Sequence, residues 1–306
     1  MNIGCIGEAM IELSLSHEVR DAKVGFAGDT LNTAIYMRRA LSAEHTVSFI
    51  SLIGTDKLSD RMATFIENEG VSTLKLGRHP ERLPGIYAIR TDESGERSFL
   101  YWRENSAARC LFQSGGGYDF SLLDGFDALY FSAITLAILP AEARARFFAW
   151  IESYRTDSGI IAFDSNYRSR LWNNKDEAIE AVTRAWKLTD IALPSVDDEM
   201  ELFGDKDEDA VINRLLSYGI KSGVLKRGAD GPIPLVGEIE PTVIFSPVEH
   251  VVDTTAAGDS FVGAFLASYL IEKELSAAMV AGHKQASRVI QHSGAVIPKN
   301  IEMEIR

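Results

Sequence analysis

The chain has 306 residues, 46% hydrophobic and 25% charged, the balance of an ordinary globular protein of one large domain or two smaller ones. Its net charge of −13 excludes a general affinity for nucleic-acid backbones or anionic membranes and leaves room for a local basic pocket. Cys5 and Cys110 are the only cysteines, which excludes a disulfide framework or a Cys-rich metal site and makes a reducing compartment the expectation.

Met1 runs almost directly into a strand-like stretch, residues 3–6, with no basic leader and no long apolar run behind it. The longest apolar stretch, residues 128–141, is broken by Ser132, Thr135 and Pro140 and is too short to span a bilayer. A cytoplasmic protein that binds neither membrane nor nucleic acid is expected.

Residues 3–6 read as a buried strand, and Glu12 in the following segment fits an exposed position on an alternating strand. Next comes Phe26-Ala27-Gly28-Asp29-Thr30-Leu31-Asn32-Thr33-Ala34. Gly28 lets the backbone approach a ligand closely or take a positive φ. Asp29 or Thr30 is expected to cap a helix running through Ile35, Met37 and Leu41. Residues 47–53 form a strand ending at Gly54, followed by a helix containing Met62, Phe65 and Ile66. Residues 85–90 and 97–103 read as an antiparallel hairpin joined by 91–96. Period-two alternation puts Phe99, Tyr101 and Arg103 on one face, where Arg103 is either solvated beside a packing aromatic or forked onto a carboxylate. Tyr87, on the first hairpin strand, is a further candidate contact.

From about residue 126 strands and helices alternate. A strand at 128–132 leads to a helix from about 140 to 154, and a strand at 160–164 leads to Asp164-Ser165-Asn166-Tyr167-Arg168. Ligands of open parallel sheets bind beyond the carboxyl ends of strands, which is where Asn166 and Arg168 fall. Arg168 could equally pair with a neighbouring acid. Residues 191–204 are strand, turn and helix, with Ser195 a candidate cap and Asp198 on an acidic face. Residues 223–231 are a strand and a Gly-x-x-Gly turn in which Lys226, Arg227, Gly228 and Gly231 could border phosphates.

Val251-Val252 reads as a strand end or an extended approach to a buried helix beginning near Phe261, capped by Thr254 or Thr255. The first turn of that helix has backbone N–H groups without partners, and Ala256, Ala257 and Gly258 leave them open to an anion. Asp259 would repel a resting phosphate. It is there either because acidic groups favour helix N-termini or because it takes a proton from an alcohol attacking phosphorus. A last helix covers about 277–290. His283 and His292 fit surface or packing positions, and the six histidines show no metal-ligand spacing. The alternation implies an α/β fold: a mostly parallel sheet, helices on both faces, and a separate small β-sheet.

Asp253-Thr254-Thr255-Ala256-Ala257-Gly258-Asp259-Ser260-Phe261 resembles the signature of the ribokinase-like (PfkB) sugar kinases, and the resemblance covers nearly the whole chain. It implies a single kinase domain over 1–306, with a lid built by about residues 11–27 and 84–105. It implies Asp259 as the catalytic base and an anion hole at Ala256, Ala257 and Gly258. It sets Glu12, Gly28, Asp29, Asn32, Tyr87, Tyr101, Arg103 and Arg168 against the sugar, and Asn166, Arg168, Lys226, Arg227, Gly228, Gly231, Ala257 and Gly258 around ATP. The helix at 277–290 would then close the adenine pocket. Five positions depart from the family: Ala256 and Ala27 replace glycines, Glu12 replaces Asp, and Ser195 and Asp198 stand where many members have Asn-x-x-Glu. Asp198 is therefore only a candidate for holding Mg2+.

Within the family, the run 28–34, Tyr101-Trp102-Arg103 and a second arginine at 168 are similar to the 2-keto-3-deoxygluconate kinases. That likeness implies ATP-dependent phosphorylation of a sugar acid at its 6-hydroxyl. A neutral-sugar kinase, or a silent sugar-binding regulator, are the alternatives. No Gly-x-x-x-x-Gly-Lys-Ser/Thr loop is present. Lid sheets with apolar outer faces could pair two subunits as a homodimer.

Overall fold

Alternation of apolar residues along five of the strands generates two separate cores, one on each face of a parallel sheet. The structure, a computed structural model, describes residues 1–15, 21–91, 97–237, 245–299 and 301. The chain opens on β1 (Asn2–Ile6) and turns outward into β2 (Met10–Leu15) and β3 (Ala22–Ala27). It returns through α1 (Asp29–Ala40), β4 (Thr46–Ile53), α2 (Lys57–Asn68) and β5 (Leu76–Arg78). A second excursion gives β6 (Gly85–Thr91), β7 (Arg97–Trp102) and the small hairpin β8 (Gln113–Ser114) and β9 (Gly117–Tyr118). Then follow β10 (Ala128–Ser132), α3 (Ala133–Ile138), α4 (Ala141–Thr156), β11 (Ile160–Asp164), α5 (Lys175–Lys187), β12 (Ile191–Leu193), α6 (Val196–Phe203) and α7 (Glu208–Ser217). The chain continues with β13 (Val224–Leu225), β14 (Ile233–Pro234), α8 (Ala257–Glu272) and α9 (Leu275–Val289).

The main sheet has the order β12-β11-β10-β1-β4-β5, with every pair parallel. Ile6, Leu129, Phe131, Ile161 and Phe163 face one core, which α3, α4, α5, α6 and α7 cover. Their neighbours Ile3, Cys5, Ala128, Tyr130 and Ala162 face the other, covered by α1, α2, α8 and α9. The expected α/β architecture is present. β1 sits centrally, with β4 on one side and β10 on the other, so the strand order reverses there. The crevice beyond the carboxyl ends of these strands is where such sheets take ligands.

A second sheet, of order β3-β2-β6-β7, stands beside that crevice. β2 pairs antiparallel with β3 and parallel with β6, and β6 and β7 form the antiparallel hairpin read from the sequence. The connections at 16–20 and 92–96, part of the segments assigned to the lid, lie outside the described residues. Among the described residues no helix is long and apolar enough to cross a membrane.

The structure corrects several local readings. Helix α1 starts at Asp29 itself; its N-cap is Gly28, with no side-chain cap, so neither Asp29 nor Thr30 caps it. Pro140 is the N-cap of α4 rather than its first residue. The short helix α3 was hidden because all six of its residues are buried and apolar or nearly so, leaving no polar face to set a period. Ser195 precedes α6 without a side-chain cap bond.

Candidate active site

Helix α8 is apolar all round and lies against α1 with no room to spare. A Cβ on Gly263 would sit 2.7 Å from Thr33 O and 2.9 Å from Met37 N. That close crossing sets Asp259 beside α1: Asn32 Nδ2 donates to Asp259 Oδ2 at 2.8 Å, and Thr33 Oγ1 donates to Asp259 O at 3.2 Å. Neither Thr254 nor Thr255 caps α8, whose N-cap is Ala256 with no side-chain bond. The loop is fastened instead by Asp253, which accepts from Thr255 N at 2.9 Å and Gly294 N at 2.7 Å. Val251-Val252 forms no strand; Val252 N donates to Ile290 O at 2.8 Å.

Ala256 has φ 59° and ψ 18°, a left-handed conformation in an L-residue. The sequence departs from the family glycine at a position that needs positive φ. Ala257 N–H bonds Thr254 O at 3.1 Å, while among the described residues the N–H groups of Ala256 and Gly258 have no partner. A Cβ on Gly258 would meet only Lys226 Nζ, at 3.8 Å, so the amides face an open slot with an ammonium on its far side. Left-handed alanine costs about 1–2 kcal/mol, and glycine returns part of that as unfolded-chain entropy. Ala256→Gly should therefore raise stability by about 0.5–1 kcal/mol in urea unfolding and leave turnover within about two-fold.

Three carboxylates converge here. Asp259 is partly buried, and its pKa is pushed up to about 8, first by loss of hydration and then by the charge of Asp29, with Asp164 adding to it and Asn32 and Lys226 opposing. Burial also raises Asp29, against the hydrogen bond from Ser132. Asp29 accepts from Ser132 Oγ and from Asn166 Nδ2, the latter at 3.1 Å. Asp164 is bound at 2.7 and 2.8 Å by Lys226 Nζ. Asn166 has φ 25° and donates its N–H to Asp164 Oδ1 at 3.3 Å. Asp29 and Asn166 are thus tied to each other across the end of the sheet. Sequence reasoning passed over Ser132 and Asp164, although each ends a central strand and so lies in the zone where ligands bind.

The small sheet forms the opposite wall. Arg103 is nearly buried and forms an ion pair with Glu8, which is 1% exposed at the carboxyl end of β1. Gly85 has no Cβ because one would lie 2.8 Å from Glu8 Oε1 and 3.0 Å from Arg103 Cβ. Among the described residues Glu8 Oε1 and Arg103 Nε are buried without a hydrogen-bond partner. Gly28 is extended at φ 176°, and a Cβ there would strike Glu8 O at 2.1 Å. Its close approach is to the backbone under this pair. Tyr87 lines the cleft and donates its hydroxyl to Glu12, which stands behind it and off the cleft wall. Burial and then the Glu12 charge raise the Tyr87 pKa. Tyr101 stacks on Tyr87 at 5.9 Å and on Phe99 at 6.4 Å. Phe99, Tyr101 and Arg103 all reach the cleft.

On the far wall Arg168, half-exposed, pairs with Asp198 at 3.2 Å. Asp198 also takes Ser165 Oγ at 3.3 Å, and burial raises its pKa, with Arg168 the main opposing charge. Arg227 closes the Gly228–Gly231 turn by bonding Gly231 O and Asp230 O at 3.0 Å each, and it pairs with Glu208 at 3.2 Å. Gly228 and Gly231 have φ 57° and 75°, and a Cβ on Gly231 would lie 2.5 Å from Phe245 Cβ. The His283 ring of α9 packs on Phe245 at 5.0 Å and lines the cleft, a wall position rather than a remote surface one. One cavity of about 980 Å³ runs from Tyr101 through Asp259 to His283, with Gly228 on its wall and Glu12 and Gly231 off it. It has room for a nucleotide and a sugar end to end. Its centre combines bare amides, an ammonium and a proton-holding carboxylate, the set needed to move a phosphoryl group onto an alcohol.

Comparison with known proteins gives the same reading. A family model for pfkB family carbohydrate kinases matches residues 2–302. The 2-dehydro-3-deoxygluconokinase of Dickeya dadantii is 42% identical over 302 residues, covering 97% of each chain. The crystal structure of the Thermotoga maritima 2-dehydro-3-deoxygluconokinase superposes with a TM-score of 0.79 at 20% identity, covering 99% of this chain and 98% of that one. A Vibrio cholerae fructokinase with fructose, ADP and calcium ion bound gives 0.81 at 22% identity, over 96% and 94%. This chain belongs to the pfkB family of carbohydrate kinases.

Proposed function

We propose that the protein transfers the γ-phosphoryl group of ATP to the 6-hydroxyl of 2-keto-3-deoxy-D-gluconate, giving ADP and 2-keto-3-deoxy-6-phosphogluconate. The observation that carries the reading is a single cleft with Asp259 and the open amides at its centre and guanidinium groups on both flanking walls. The near-full-length relative at 42% identity acts, by its name, on the same sugar acid. Arg103 and Arg168 offer N–H donors to the carboxylate end, so the hydroxyl at the other end reaches Asp259. The hydroxyl oxygen bonds to the γ-phosphorus as the bond to the bridging oxygen breaks, ADP leaves, and Asp259 takes the proton. Alcohols are far weaker acids than carboxylic acids, so the proton moves only as the new bond forms. The Ala256 and Gly258 amides and Lys226 hold the developing charge. The strands β2, β3, β6 and β7 act as the lid that excludes water from the transfer.

We assign magnesium as the metal that accompanies ATP in the reaction. Among the described residues no cluster of three His, Cys, Asp or Glu is ready to hold a metal. That donor set suits an ion that arrives on phosphates and touches the protein through one or two carboxylates. Asp198 would be such a ligand, since a cation beside it offsets the burial that raises its pKa. Bound there, magnesium supplies neutralisation of the phosphate charge. We also place the protein in the cytoplasm. Leu100 and Trp102, each 55% exposed on the lid, support pairing of two lids as a homodimer.

The test is ADP release over a panel of sugar acids with fructose as the neutral comparison. A preference for fructose over 2-keto-3-deoxygluconate would overturn the reading. With both substrates far below saturation, activity should climb about ten-fold per pH unit and level off near pH 8, because only ionised Asp259 accepts a proton and its pKa is about 8. A profile already flat at pH 6 would remove Asp259 as the base.

A further inference from the structure

Five basic side chains, other than histidine, line the cleft, and four are already neutralised. Arg103 is paired with Glu8, Arg168 with Asp198, Lys226 with Asp164 and Arg227 with Glu208. Arg170 is the exception. It stands exposed on a single 3-10 turn, Ser169–Leu171, just beyond β11. Among the described residues it has neither ion pair nor hydrogen bond. Its one contact of note is across the cleft, where the guanidinium carbon lies 5.6 Å from the centroid of the Tyr101 ring on β7.

We propose that Arg170 is the specificity-determining residue for the substrate's carboxylate, which it holds against Tyr101 at the mouth of the cleft. The proposal deepens the sugar-acid reading and depends on it. An anion entering this cleft meets the field of a protein of net charge −13 and the nearby carboxyl groups of Asp29 and Asp259. A guanidinium that already holds an acid can still donate hydrogen bonds, but it brings no net positive charge. Recruiting it fully means leaving its first carboxylate unpaired, which is costly for Glu8 at 1% exposure. Arg170 requires no such exchange. The Tyr101 ring holds it in place, and the Tyr101 hydroxyl can donate to the same carboxylate. Because Tyr101 belongs to the lid and Arg170 to the body, a carboxylate bound between them also fastens the lid over the sugar. A neutral sugar gains nothing from Arg170, so the residue discriminates between acid and neutral substrates.

The experiment compares kcat/KM for 2-keto-3-deoxygluconate with that for its uncharged C1 amide in the full-length wild type, Arg170→Gln and Arg170→Lys, with KM for ATP alongside. Arg170→Gln should lose about 30–300-fold on the acid, and less than about three-fold on the amide, with KM for ATP unchanged. Arg170→Lys keeps the point charge and should recover at least about ten-fold of the loss on the acid. Equal losses on acid and amide, or Arg170→Lys no better than Arg170→Gln, would show a structural role and overturn the proposal. A wild type that prefers 2-keto-3-deoxygluconate while Arg170→Gln keeps the same acid-to-amide ratio would sink this proposal alone. A wild type inactive on every sugar acid would sink the substrate reading and this proposal with it.

Discussion

Asp259→Asn should lower kcat by about 10²–10⁴ while making the protein more stable at neutral and alkaline pH. The two effects have one cause. Asp259 is enclosed beside α1 with Asp29 and Asp164 nearby, and its pKa stands at about 8 in the folded chain against 3.8 for the free side chain. The folded state therefore holds this proton more tightly than the unfolded state does. The stability linked to it is fully present below about pH 4 and is lost as pH rises through about 8. An amide never ionises, so it escapes that loss, and its oxygen can still accept the bond from Asn32 Nδ2. Denaturant unfolding should show the variant gaining about 2–5 kcal/mol at pH 8 and nothing near pH 4. ADP release at saturating sugar and ATP should show the loss of turnover, with nucleotide binding kept. Turnover close to wild type would dismiss Asp259 as the base. A gain that is the same at both pH values would dismiss the burial of its charge.

How much of this was legible in the sequence depended on how local each signal was. The loop before α8 was readable because small residues, an acid and a buried helix follow one another without interruption, and the strands at 3–6, 128–132 and 160–164 because short β-branched or aromatic runs end at glycine or polar residues. What stayed hidden was pairing across the chain. Glu8 and Arg103 are 95 positions apart, Asp29 and Asn166 are 137 apart, and neither pattern of periodicity joins them. The caps failed for a related reason. Asp29 had a better partner in Ser132 than in its own helix, and Asp253 fastened the loop that Thr254 or Thr255 was expected to cap. At Asp29 a polar side chain near a helix start was drawn off by the site, so the local rule gave way where the chemistry is. Arg168 shows the opposite limit. Its position beyond a strand end was correct, but its partner Asp198 comes 30 residues later, on α6.

The largest stability effect expected in this protein lies in the pair that joins the four-stranded sheet to the centre of the main sheet. Glu8 leaves the carboxyl end of β1, Arg103 follows β7, and both side chains are nearly buried. Removing either partner alone strands a charge away from water, which typically costs about 3–5 kcal/mol. Arg103→Met and Glu8→Gln should each show that loss, more for Arg103→Met, because the amide in Glu8→Gln still accepts a hydrogen bond from the guanidinium whereas Arg103→Met leaves the buried carboxylate without that donor. Replacing both, as Glu8→Leu with Arg103→Met, removes the stranded charge and fills similar volume, so most of the lost stability should return. Binding should not return with it. The Arg103 guanidinium also lines the cleft, so it can serve the sugar acid as well as Glu8. KM for the acid should stay raised about ten-fold or more in the double variant, with KM for ATP little changed. Recovery of both stability and acid affinity would make the pair purely architectural. Failure to recover stability would mean that the pair acts through the backbone at Gly28 and Gly85, whose missing side chains make room for it, rather than through charge.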